Sequence, residues 1–68
     1  MARTATATTG AKVRAARLRK GLSQEEVAAR CGMDRANLAH IELGGRDPQV
    51  GTLKRIAKAL DVPASLLI

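Results

Sequence analysis

LSQEEVAARCGMDRANLAHIELG, residues 22–44, carries one start-and-stop pattern twice. Ser23 is followed three residues on by Glu26, the spacing of a capping box, in which hydroxyl and carboxylate each accept a bond from the other's main-chain N–H. Leu22 and Val27 stand where a hydrophobic staple closes over that cap. Val27, Ala28 and Cys31 then share a helical face. Gly32 supplies the left-handed conformation that stops a helix and turns the chain. The pattern restarts with Asp34 as N-cap, and Met33 and Leu38 form the second staple. Leu38 and Ile41 make a narrow apolar seam, while Arg35, Ala36, Asn37, Ala39 and His40 lie off it. Gly44-Gly45 ends the second helix. Two short capped helices joined by a tight turn form a helix-turn-helix unit.

The flanks extend the helical reading. Upstream, a helix over roughly residues 10–20 has Val13, Ala16 and Arg17 on one face, with Leu18 at its margin. Lys12, Arg14, Arg19 and Lys20 face solvent, and Gly21 closes the helix. Residues 1–9, MARTATATT, are low in complexity and are expected to be a disordered tail, with residues 10–68 forming one domain. Arg3 is either part of that floppy tail or an arm reaching a minor groove. Downstream, Asp47-Pro48 reads as N-cap and first helical residue. Val50, Leu53, Ile56, Ala57 and Leu60 follow at core-facing spacing. Asp61-Val62-Pro63 breaks that helix, and residues 64–68, ASLLI, form a last short turn or helix.

Composition narrows the function. Sixty-eight residues without one aromatic side chain make at most one domain with a modest aliphatic core. The missing aromatics argue against single-strand nucleic-acid modules, which stack bases on rings. The net charge of +6 is uneven. Residues 1–20 hold Arg3, Lys12, Arg14, Arg17, Arg19 and Lys20 and no acid, whereas the remainder balances. A basic excess favours a polyanion through counterion release, or serves solubility alone. The lone Cys31 points inward and reads as a buried, inert thiol. With one His and one Cys, no zinc site is expected, and no cofactor. No signal peptide or membrane-length apolar run is visible, so a cytoplasmic, nucleoid-associated protein is expected. No paired-carboxylate cleft or nucleophile–base set suggests an enzyme.

Taken together, Arg17, Gly21-Leu22-Ser23-Gln24, Val27-Ala28, Gly32-Met33, Leu38, Ile41-Glu42, Gly44, Pro48, Leu53, Ile56-Ala57 and Leu60 resemble the phage-repressor/Cro-type (XRE-type) helix-turn-helix family. The likeness runs from about residue 11 to residue 67. It implies an all-α, compact five-helix DNA-binding domain.

The resemblance also implies roles. It sets the start of the second helix of the motif in the DNA major groove, with Arg35, Ala36 and His40 towards base edges and Asn37 beside them. Arg35 is the candidate for a two-pronged bond to guanine, the alternatives being a phosphate contact or a solvated charge. Ala36 has only apolar contact to offer. Asn37 and His40 can donate or accept; Asn37 has its own helix cap as an alternative, and His40 a phosphate. Ser23 and Gln24 would hold a phosphate at a helix N-terminus, the alternative for Gln24 being a plain helix former. Gly44, Gly45 and Arg46 would supply a further phosphate contact. Many relatives carry a basic or polar residue where this chain has Leu43; that departure puts a DNA contact at Leu43 in doubt, with packing as the alternative. Arg17 and Glu42 match a partly buried ion pair that is mainly structural.

Relatives of this type bind inverted-repeat operators as twofold dimers. The C-terminal residues Val62, Leu66, Leu67 and Ile68 offer an apolar patch for such a homodimer, although some of Leu66 and Leu67 must seal the core. The expected function is a sequence-specific regulator of transcription on double-stranded DNA, with no small-molecule ligand and no membrane. A self-regulating controller of a restriction-modification operon fits the length and layout. A phage-type repressor, an antitoxin regulator, or an interaction module that has lost DNA binding are the alternatives.

Overall fold

The computed structural model describes residues 8–68. Most of the expected tail, including Arg3, lies outside the described residues. The described chain is all-helical, with α1 Thr9–Arg19, α2 Gln24–Cys31, α3 Arg35–Glu42 and α4 Val50–Leu60, followed by a 3-10 turn, Ala64–Leu67. The expectation of five helices is therefore corrected to four α-helices and a terminal 3-10 turn. Pro63 stands at its N-cap, and the four-residue segment closes with the i to i+3 bond from the Leu66 N–H to the Pro63 carbonyl, 3.0 Å, the 3-10 pattern.

Starts and stops follow local chemistry. Thr8 caps α1 by accepting from the Ala11 N–H at 3.0 Å, so this helix begins one residue before its expected start. Ser23 and Glu26 form both bonds of the capping box. Asp34 occupies the N-cap of α3 without a side-chain bond. Each of the four helices ends on the same long return bond. The amides of Leu22, Met33, Gly45 and Val62 donate to the carbonyls of Arg17, Ala28, His40 and Ala57.

α4 begins later than expected. Its N-cap is Gln49, not Asp47, because residues 47–49 stay out of the helix. Pro48 is compatible with a first helical turn but does not nucleate one. Val50, expected in the core, is exposed. It is the first residue of the helix, and the buried face starts one turn later at Leu53.

The core joins Val13 and Ala16 of α1, Val27, Ala28 and Cys31 of α2, Leu38 and Ile41 of α3, and Leu53, Ile56, Ala57 and Leu60 of α4. Leu67, from the 3-10 turn, is 0% exposed and closes it. α1 packs across α3 and against the 3-10 turn, while α2 is held between α3 and α4. Gly10 sets the α1–α3 crossing. A Cβ there would lie 2.0 Å from the Ile41 carbonyl oxygen and 3.0 Å from that of Glu42, so only a glycine permits this approach. Among the described residues no helix is long and apolar enough to cross a membrane.

Candidate nucleic-acid interface

The outer face of α3 is presented by what holds its inner face. Leu38 and Ile41 are buried, and Arg35, Ala36 and His40 are exposed, with Asn37 and Ala39 half-buried. The far end of the helix is fixed by Glu42, whose carboxylate accepts from two other helices. Arg17 Nε donates to Oε2 at 2.8 Å and Arg17 Nη2 to Oε1 at 3.0 Å. Both side chains are buried. The remaining arm of the guanidinium, Nη1, donates to the Leu22 carbonyl at 2.9 Å. The Glu42 hydrogen bond holds the Arg17 pKa above its ordinary value, with burial opposing it. Two parallel bonds from a planar fork fix direction as well as distance.

Gln24 joins the same group. Its Nε2 donates to Glu42 Oε1 at 3.0 Å. The residue that opens α2 is thereby tied to the residue that closes α3. Sequence reasoning did not find this bond, because the two residues stand 18 apart and no spacing rule connects them. At the N-terminus of α2, the Ser23 amide and hydroxyl oxygen are both engaged by Glu26. The Ser23 amide first, and the Ser23 side chain after it, hold the Glu26 carboxyl below its usual pKa.

The loop after α3 is ordered by the helix it follows. The amides of Gly44 and Gly45 donate inward, to Ile41 and His40 at 3.0 Å each. Gly44 has positive φ, whereas Gly45 does not. The imidazole of His40 lies against Gly45, where a Cβ would come 2.3 Å from Cδ2 and 2.6 Å from Nε2. Arg46 beyond it is exposed. Of the two alternatives for Leu43, packing does not hold: it is 85% exposed, at the C-cap of α3.

The apolar end of the chain divides. Leu67, expected at the dimer surface, instead seals the core, since a 3-10 turn directs only part of its side chains inward. Leu66 is 45% and Ile68 70% exposed, and Val62 is half-buried. Lys12 of α1 donates to the main-chain oxygen of Ile68.

A cleft of about 580 Å³ opens between α2 and α4, lined by Arg30, Cys31, Arg55, Lys58, Ala59 and Asp61. Arg30 donates to the Ala59 carbonyl at 3.3 Å and the Cys31 thiol to that of Arg55 at 3.7 Å. Arg30 and Lys58 lie in the last turns of α2 and α4, where positive charge complements the helix dipole. Burial pushes the Cys31 thiol pKa up, against the pull of Arg55, so the group stays protonated and unreactive. Among the described residues no His, Cys, Asp and Glu side chains cluster as metal ligands.

Comparison with known proteins converges on one architecture. A helix-turn-helix family model matches residues 13–67. The uncharacterized HTH-type transcriptional regulator y4dJ of Sinorhizobium fredii (strain NBRC 101917 / NGR234) is 53% identical over 49 residues, which is 69% of this chain and 64% of the relative. The chain thus spans less than two thirds of that protein's length. Control protein C.BamHI of Bacillus amyloliquefaciens is 42% identical over 60 residues, 85% of this chain and 74% of the relative. Among solved structures, the restriction-modification controller protein C.AhdI from Aeromonas hydrophila superposes with a TM-score of 0.86 at 34% identity, over 91% of this chain and 94% of that one.

Proposed function

The chain belongs to the helix-turn-helix (XRE-type) family of DNA-binding transcription regulators, not enzymes, and we propose that it is a sequence-specific regulator acting as a homodimer on an inverted-repeat operator. The observation that carries the reading is the locked presentation of α3. Three bonds to Glu42 from Arg17 and Gln24 fix one end, and the exposed Arg35–Ala36 edge stands at the other. A helix held that rigidly can offer its first turn to a major groove. In this reading Arg35 grips guanine, a contact worth roughly 1–3 kcal/mol of discrimination. Ala36 meets a thymine methyl, and Asn37 supports the same step.

Phosphates would be held at the start of α2 by the Ser23 hydroxyl, the Gln24 amide and the helix N-terminus, and after α3 by the exposed Arg46, since the Gly44 and Gly45 amides are turned inward. Glu25 and Glu26 in the first turn of α2 oppose phosphate approach. The basic excess of α1 then has to provide the long-range attraction. The half-exposed Val62–Leu66–Ile68 edge is the surface we assign to the second subunit, with the two recognition helices about one DNA turn, roughly 34 Å, apart. Similarity to C.BamHI and C.AhdI supports a self-regulating controller of a restriction-modification operon. A location in the cytoplasm beside the DNA goes with that role.

The test is binding of fluorescent random duplex DNA across a salt series. Phosphate neutralisation requires affinity to fall steeply and linearly on a log–log plot. An interaction module that has lost DNA binding would show no such slope.

A further inference from the structure

His40 occupies the sixth position of α3, where the family pattern implies a base contact, yet its ring is turned to the loop. A Cβ on Gly45 would fall 2.3 Å from His40 Cδ2 and 2.6 Å from Nε2. Gly45 has no left-handed backbone that would demand a glycine. The imidazole edge instead stands where a Cβ would be, so a larger residue there would push the ring aside. The main chain fixes the same relationship, since the Gly45 amide donates to the His40 carbonyl at 3.0 Å. His40 and Gly45 therefore meet twice, through ring and backbone.

The amides of Gly44 and Gly45 are both committed to the end of α3, and an N–H that closes a helix is not free to bind an anion. The groups left to meet a phosphate at this turn are side chains, the exposed His40 and Arg46. We propose that His40 contacts the DNA backbone rather than a base, with its ring set in that direction by the missing side chain of Gly45. Residues 40 and 46 then form the phosphate contact after α3, and Gly45 is the positioning residue that permits it. The proposal rests on the DNA-binding reading above.

A double-mutant cycle tests it, with His40→Ala, Gly45→Ala and the pair measured by fluorescence anisotropy on operator and on random duplex, and folding followed by thermal melts. His40→Ala is expected to weaken both duplexes by a similar factor, about tenfold for one phosphate hydrogen bond. Gly45→Ala should weaken binding comparably alone, yet add almost nothing once the ring is gone, because the Cβ then has room. If Gly45→Ala fails to fold alone, recovery of folding in the pair supports the same packing of the imidazole on Gly45. Loss confined to operator, no loss for His40→Ala, or an equal Gly45→Ala defect in both backgrounds overturns the proposal. A folded wild-type protein that binds neither duplex removes the DNA reading itself, whereas wild-type binding with an inert His40 removes only this assignment.

Discussion

Gln24 and Glu42 are joined by a 3.0 Å hydrogen bond that links the first residue of α2 to the last of α3. The same carboxylate takes the Arg17 fork from α1, so one buried group sets the mutual orientation of three helices. The angle at which α3 leaves the body is thus a property of Glu42 as much as of the apolar seam.

Removing either partner of the buried pair strands the other. Arg17→Ala and Glu42→Ala are each expected to cost about 3–5 kcal/mol. That approaches the whole stability of a domain this small, at about 0.05–0.15 kcal/mol per residue. Urea unfolding should find both singles largely unfolded, and Arg17→Met with Glu42→Leu appreciably more stable than either. A double variant no better than the singles contradicts the stranded-charge explanation.

Two glycines should respond in opposite directions to alanine. Gly10→Ala places a methyl against the α3 main chain and should destabilise by about 1–3 kcal/mol or more. Gly51 has nothing within 4 Å of a built Cβ and lies in α4. Gly51→Ala should therefore stabilise by about 0.4–1 kcal/mol. Thermal melts of the two variants check both signs.

The capping box makes part of the stability pH-dependent. The Glu26 pKa is lowered from 4.5 on folding, chiefly by the Ser23 amide. A depressed folded-state pKa contributes stability that is fully present above the unfolded value and is lost as pH falls through the folded one. Stability should decline as acid is added below pH 4.5. Glu26→Gln, which still accepts from the Ser23 amide but does not titrate, should flatten that part of the curve. Parallel acid limbs for the two proteins rule the contribution out.

Substitutions among the C-terminal residues separate the proposed dimer surface from the core. Leu66→Asp and Ile68→Asp alter exposed side chains and should leave a folded monomer by analytical ultracentrifugation. Leu67→Asp puts a charge at a fully buried site and should unfold the domain. A dimer that survives both surface changes places the subunit contact elsewhere.

Local chemistry made much of this legible in the sequence. The Ser23–Glu26 box, the glycine stops and the inward faces of α2 and α3 all follow from rules spanning a few residues. The Arg17–Glu42 pair came from family likeness alone, since the partners are 25 residues apart. The misses have two causes. The approach of Gly10 to Ile41 depends on where distant segments meet, whereas the late start of α4, the outward Val50 and Leu43 and the ring on Gly45 are set at helix ends and in the loop after α3, where the helical repeat no longer applies.

In the proposed function the exposed start of α3 reads DNA sequence. Selection of bound sites from a random duplex library, with wild type and Arg35→Ala side by side, puts that to the test. The expected result is an enriched inverted repeat for the wild type, and loss of preference at a guanine in each half-site for the variant. A folded wild-type protein that enriches no site, or an Arg35→Ala variant that keeps every base preference, would contradict it.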